Sequence, residues 1–173
     1  MVTSGQFCGP EAFGYPRPGI HDTHLSIAVI VEEGNEGLEY LVFEYDSGDG
    51  VQIKFPAGTN KSRPNESAAQ TLFREVKEET GLILPSSTRW IWSGPRTPNS
   101  HGELGSHQKI AFVASFKDCR GEIRTFPMVD DDGNRLSPPF WRTYEELIVP
   151  AEEGGLFYTH RHALEEAKKK YLS

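Results

Sequence analysis

Three carboxylates, Glu75, Glu78 and Glu79, crowd one short stretch of this chain, FREVKEETGL. Spacings of three and four residues make them neighbours on a helix surface. Ala69, Leu72, Phe73 and Val76 recur at helical spacing beside them, which predicts an amphipathic helix over 65–80 with its apolar stripe toward a core. Asn65, or alternatively Ser62, is the expected N-cap, and Gly81 falls where a left-handed residue closes a helix. Acids near a helix C-terminus oppose the dipole, and each like-charged pair costs on the order of a few tenths of a kcal/mol.

A solvated acidic face is the ordinary explanation of such a cluster. The chain carries its own control in ALEEAKKKYL, where Glu165 and Glu166 each have a lysine four residues later, Lys169 and Lys170. That helix is stabilised by its own pairs. Four residues after Glu75 comes Glu79, another acid, and only Arg74 and Lys77 compensate locally. A hard divalent cation shared by the carboxylates explains the crowding better, with Mg²⁺ the natural ion and Mn²⁺ an alternative.

The surrounding residues resemble the Nudix hydrolase box, G-x5-E-x7-R-E-U-x-E-E-x-G-U, where U is bulky and aliphatic. The chain has Gly58, Glu66, Arg74, Glu75, Val76, Glu78, Glu79, Gly81 and Leu82 in that order, with every spacing from Glu66 onward as in the family. It departs between Gly58 and Glu66, where seven residues stand instead of five. The preceding KFPAG is similar to the strand end that leads into the family's box. The resemblance implies an α/β (α+β) fold, a Nudix-like α/β/α sandwich with a mixed sheet between helices. It implies metal-dependent cleavage of a pyrophosphate bond in a nucleoside diphosphate linked to another moiety. ADP-ribose, a dinucleoside polyphosphate and a nucleoside triphosphate are the substrate types it allows.

By the same resemblance Glu75, Glu78 and Glu79 hold the metal, joined by the Gly58 carbonyl. Glu78 and Glu79 are the acids on which turnover should depend most. Arg74 and Glu66 form an ion pair that fixes the carboxylates. The family's general base often lies outside the box, and Glu103, Glu122 and the run Asp130 to Asp132 are candidates. Glu103 stands out because its Gly-flanked loop follows a strand. Pro98 occupies a place that loosely marks ADP-ribose pyrophosphatases in the family.

The elements that position these residues follow from pattern. LSIAVIV (25–31), LEYLVFEY (38–45) and VQIKFP (51–56) read as strands separated by GNEG and DSGDG turns. Strands followed by the helix at 65–80 indicate a sheet with that helix on one face. TRWIWSG (88–94), with Trp90 and Trp92 on one side, and KIAFVASF (109–116) supply further strands around a polar loop at 95–107. Trp90, Trp92, Phe112 and Trp141 are core residues or, less simply, platforms for a base. Asp130 to Asn134 fails the calcium-loop pattern and reads as an exposed turn. FWRTYEEL (140–147) returns to the fold, and 158–172 form the last helix. His21, His24, His160 and His162 have no cluster of further ligands and read as surface or capping residues.

A length of 173 residues suits a Gly/Pro-rich arm at 1–23 and a single domain at 24–173. With 36% hydrophobic and 11% aromatic residues the chain is not of the disordered class. A net charge of −7 argues against a nonspecific nucleic-acid or anionic-membrane partner, and a phosphate substrate would need bound metal to offset repulsion. The resemblance implies a small-molecule nucleotide as the substrate, with no membrane and no specific nucleic-acid partner. LSIAVIV is too short to span a bilayer, and the N-terminus lacks a basic segment followed by an apolar one. Cys8 and Cys119 are too few for a zinc site or disulfide framework, which points to a reducing cytoplasm. The arm could exchange between subunits of a homodimer. Two other functions fit parts of the pattern: a nucleotide-sensing module that does not cleave, and an isoprenoid diphosphate isomerase using Cys119. Retention of all four box glutamates argues against the first, and nothing in the sequence near Cys119 suggests an activated thiol against the second.

Overall fold

The computed structural model describes residues 23–94 and 108–171. Residues 1–22 of the arm expected at 1–23, and the loop carrying Pro98 and Glu103, lie outside the described residues. Strand β1 (His24–Gly34) is buried on both faces from Ser26 to Val31, as its unbroken apolar run requires. Asn35 and Glu36 turn the chain into β2 (Gly37–Asp46), which pairs antiparallel with β1 from Val31↔Tyr40 to Gly34↔Gly37.

Away from that turn the two strands part, and the fork between them is filled by the next segment. β3 (Val51–Lys54) pairs with the far half of β2, and β4 (Ala57–Thr59) pairs with the N-terminal end of β1, also away from the turn. The strand expected over 51–56 stops at Lys54. Pro56 has no N–H to give a ladder, while its carbonyl accepts from Ala28 N–H at 2.8 Å. Phe55 is fully buried in the fork.

After helix α1 (Ala68–Thr80) come the short β5 (Leu82–Ile83), then β6 (Arg89–Ser93) and β7 (Gln108–Ser115). β7 runs parallel to β1 along its whole length, whereas the other strand-to-strand ladders among the described residues are antiparallel, so the sheet is mixed. β8 (Arg120–Gly121) pairs with β5 apart from the main sheet. β9 (Met128–Val129), β10 (Arg135–Leu136) and β11 (Phe140–Thr143) extend the β2 side, giving the order β6-β7-β1-β2-β10-β9 with β11 also on β2.

Helix α1 covers one face, packing Ala68, Ala69, Leu72 and Val76 on Ala28, Ile30, Leu41, Ile110 and Phe112. On the other face α2 (Tyr144–Ile148) and α3 (Arg161–Tyr171) bring Leu147, Ala163, Leu164 and Ala167 onto Ile27, Val29, Val31, Tyr40 and Val42. This is the expected sandwich. Each fully buried Leu, Val or Ile contributes about 1.5–3 kcal/mol.

Several expectations are corrected. The N-cap of α1 is Ser67 rather than Asn65 or Ser62: its side chain accepts from Gln70 N–H while the Gln70 side chain accepts from Ser67 N–H. Residues 60–66 are spent on consecutive turns instead, Arg63 N–H to Asn60 O and Glu66 N–H to Arg63 O. His24 and His160 are buried, at 1% and 3% exposure. His160 Nδ1 accepts from Phe55 N–H at 3.1 Å. Phe112 is core, as the simpler reading of it had it, and Trp141 is half-buried in a T-shaped contact with Phe116. Glu165 accepts from the Tyr144 hydroxyl at 2.6 Å, and Glu166 takes both Lys169 and Lys170. The last segment splits into a 3-10 turn, Tyr158–His160, followed by α3. Among the described residues no helix is long and apolar enough to cross a membrane.

Candidate functional site

The box residues come together because α1 lies over the fork. Ser67 starts the helix and Gly81 ends it in the left-handed conformation, φ 84°, which frees that end to turn into β5. A side chain at Gly81 is excluded twice over, since a Cβ would stand 2.4 Å from Glu122 O. The helix therefore delivers Arg74, Glu75, Glu78 and Glu79 to β4 at a fixed rotation.

Arg74 is the hub. Its Nε and Nη2 donate to the two oxygens of Glu66 at 3.0 and 2.9 Å, and its Nη1 donates to Glu75 Oε1 at 2.7 Å. Nη1 also reaches Glu78 Oε2 at 3.3 Å, and Nη2 reaches the Thr59 carbonyl at 3.2 Å. One guanidinium thus ties the loop before α1, two helix acids and strand β4. The Arg74–Glu66 pair is the one expected from the sequence, and the bond to Glu75 is additional. Burial alone would raise the Glu66 carboxyl, but the hydrogen bonds and charge of Arg74 outweigh it and hold that carboxyl below its usual value.

The three helix acids are not equivalent. Glu78 has a side chain 47% exposed, whereas Glu79 is buried at 9%. Three residues past Val76, Glu79 lies beside the apolar stripe rather than opposite it. Its Oε2 accepts from Ala57 N–H at 3.0 Å, so the carboxylate is fixed to the fork. Burial, then the charge of Glu75 and that of Asp130, push the Glu79 carboxyl well above its usual range against the pull of Ala57 N–H and Lys54. Glu75 is raised as well, chiefly by burial, with Arg74 opposing. Gly58 faces Glu75 directly: a Cβ there would stand 2.0 Å from Glu75 Cδ. Only glycine lets the β4 backbone approach that carboxylate, in spite of the longer loop that follows.

A second layer holds this arrangement. His24 Nε2 lies 2.9 Å from Thr71 Oγ1, and Thr71 Oγ1 donates to Glu66 Oε1 at 3.4 Å. His24 N–H donates to Asn60 Oδ1, and Ser26 Oγ to the Ala68 carbonyl. Arg124 donates from Nε to Glu79 O at 2.9 Å and from Nη2 to Ser137 O at 2.8 Å, and it also binds Phe126 O. Lys54, at the end of β3, holds its ammonium 3.8 Å from the centre of the Tyr45 ring. None of Lys54, Arg124, Thr71 or His24 stood out in the sequence as a site residue. The one available signal was the alternation of VQIK into KFPAG, which turns Lys54 to the face opposite Ile53.

Among the described acids outside the box, Asp130 is the one that acts electrostatically on Glu79, and its oxygens already accept from Asp132 N–H and from Asn134. Glu122, Asp131 and Asp132 are exposed. Glu103 lies outside the described residues.

Among the described residues no three His, Cys, Asp or Glu side chains stand together as a ready metal cage. The donors present nonetheless suit Mg²⁺ or Mn²⁺: carboxylate and carbonyl oxygens only, with two inward acids disfavouring each other's charge and a bare backbone at Gly58. Mg²⁺ is bound through one or two carboxylates, waters and substrate phosphates more often than by a protein cage.

The family model described as NUDIX domain matches residues 22–166. The chain belongs to the NUDIX family. The fold is shared with solved NUDIX structures of low sequence identity. The NUDIX domain of Shewanella oneidensis NrtR, complexed with ADP ribose, aligns at a TM-score of 0.59 and 17% identity, covering 87% of this chain and 88% of that one. A NUDIX hydrolase from Nitrosomonas europaea aligns at 0.56 and 23%, covering 86% and 90%. A MutT NUDIX hydrolase from Burkholderia pseudomallei aligns at 0.56 and 21%, covering 84% and 97%. No curated protein matches the sequence.

Proposed function

We propose that this NUDIX chain is a divalent-metal-dependent hydrolase that cleaves the pyrophosphate bond of a nucleoside diphosphate linked to another moiety. The observation that carries the reading is the pair of inward acids, Glu75 against the bare Gly58 backbone and Glu79 pinned by Ala57 N–H. Glu75, Glu78, Glu79 and the Gly58 carbonyl hold Mg²⁺ or Mn²⁺ in this reading. When bound, such an ion polarises phosphate oxygens and acidifies water. Arg74 and Glu66 orient the acids, and the Arg74 hydrogen bond to Glu75 loosens or shifts as that carboxylate takes up its ligand role. Ala57 N–H keeps one Glu79 oxygen fixed, leaving the other to act. The general base is sought among Glu103, Glu122 and Asp130. The solved NUDIX domain complexed with ADP ribose supports ADP-ribose as the first substrate to try.

A panel of ADP-ribose, dinucleoside polyphosphates and nucleoside triphosphates, with and without Mg²⁺, tests this. Mg²⁺-dependent release of a nucleoside monophosphate or phosphate is expected, and Glu79→Gln should reduce it at least about a hundredfold. Full turnover by Glu79→Gln, or turnover indifferent to chelator, would sink the reading.

The second reading, a module that binds nucleotide without cleaving it, draws support from the Arg74–Glu75 ion pair, which engages one of the acids. Its mark would be ADP-ribose binding with no product under any metal. An isomerase using Cys119 is disfavoured: burial pushes that thiol up to about 11, and its Sγ hydrogen-bonds to Ser115 O.

A further inference from the structure

Lys54 is a half-buried cation whose ammonium, among the described residues, has no hydrogen-bond acceptor. It ends β3 opposite Phe43, on the face that also carries Tyr45 and turns toward the α1 side of the sheet. Its ammonium sits 3.8 Å from the Tyr45 ring centre and 4.7 Å from that of Phe157. Ring faces attract a cation but accept no conventional hydrogen bonds. Among the described residues Nζ makes no hydrogen bond and no ion pair, although an ammonium has three donors and polar groups out of water normally find partners. Glu79 and Asp130 exert their charge on it without touching it. Three residues further along the same fork, Ala57 N–H holds the Glu79 carboxylate.

A fixed positive charge, unmet donors and a place beside the two inward acids complement an oxyanion. We propose that Lys54 contacts the substrate directly, giving its ammonium N–H donors to the phosphate oxygens of the diphosphate. This rests on the hydrolase reading for the site. The Tyr45 and Phe157 rings hold the side chain in place so that little conformational freedom is lost on contact. Lysine serves phosphate as a point charge, without the paired geometry of arginine. Packing alone is the ordinary alternative, with the methylene stem lying on two rings and the head group reaching for water.

The full-length chain is compared with Lys54→Met, which keeps the stem and loses the charge, and with Lys54→Arg. Calorimetry of inorganic pyrophosphate binding in Mg²⁺ should show Lys54→Met weaker by about tenfold or more, with Lys54→Arg recovering part. KM on the substrate found should rise alongside, while Mn²⁺ affinity measured by electron paramagnetic resonance without substrate should not fall. Equal pyrophosphate affinity in wild type and Lys54→Met overturns the proposal. So does a wild-type chain that binds no pyrophosphate, or a fall in Mn²⁺ affinity, which would mean that the lysine acts on the acids. Thermal melts establish folding, and Lys54→Gln replaces Lys54→Met should the latter not fold. The binding readout needs no turnover, so a wild type that hydrolyses nothing sinks the hydrolase reading while Lys54 is still judged on pyrophosphate.

Discussion

Gly58 and Arg74 determine how closely strand and helix approach. With a Cβ at 2.0 Å from Glu75 Cδ, Gly58→Ala must expel that carboxylate from its present position. Its expected effect is a drop in Mn²⁺ affinity, seen by electron paramagnetic resonance, with a stability loss of about 1–3 kcal/mol from overpacking. Arg74→Lys keeps the charge but cannot span Glu66, Glu75 and Thr59 O at once. Its expected cost is about 1–3 kcal/mol in urea denaturation, since charge-assisted bonds to Glu66 and Glu75 are lost together. Spacing along the helix made Arg74, Glu75, Glu78, Glu79 and Gly81 legible, because a helix converts fixed intervals into a fixed surface, while Ser67 and Thr71 in the same stretch were not. Lys54, His24 and His160 were not legible. Their partners lie in other elements: Thr71 is 47 positions from His24, and Phe55 is 105 from His160. No interval within one segment announces such a contact.

The elements meet at identifiable joints, and His160 is one of them. It stands where the 3-10 turn enters α3, accepts from Phe55 N–H and stacks on the Phe55 ring at 6.0 Å. Burial, with the charges of Lys54 and Lys109 adding, lowers its pKa from 6.5 to about 3. The unfolded chain thus binds a proton that the folded chain refuses between about pH 6.5 and 3. Stability from this joint is complete above pH 6.5 and is lost as pH falls toward 3. His160→Asn, able to accept the same bond without titrating, should flatten that part of the pH dependence in chemical denaturation. The longer strands and helices were readable from period and turn residues, within the limits Pro56 imposed on β3, whereas two- and three-residue strands such as β4, β5 and β8 are too short to show a period. The Ser67 cap was harder, because Ser62, Asn65 and Ser67 all have the right chemistry and only the turns at 60–66 choose among them.

For the molecule as a whole, the two inward acids are a standing electrostatic cost in a chain of net charge −7. A divalent cation that binds the folded chain alone relieves it, and mass action adds about 2.7 kcal/mol at a hundred times Kd. Mn²⁺ should therefore raise Tm, with a smaller rise in Glu79→Gln. The mixed sheet between helices followed from the family resemblance, but the fork between β1 and β2 did not, since it depends on where Ala28 finds Pro56.

The parallel pairing of β1 with β7 carries a cost in time. These neighbours begin at His24 and Gln108, so all of α1 is synthesised before its floor is complete. Leu72 and Val76 can settle early on Ala28 and Ile30, but Ile110 and Phe112 arrive only when the later strand docks. Closing so long a loop is slow, and until it closes one edge of β1 is free to join a foreign strand. Damage to β7 should thus show first as aggregated rather than sluggish protein: fewer molecules reach the native state, and those that do retain an ordinary site.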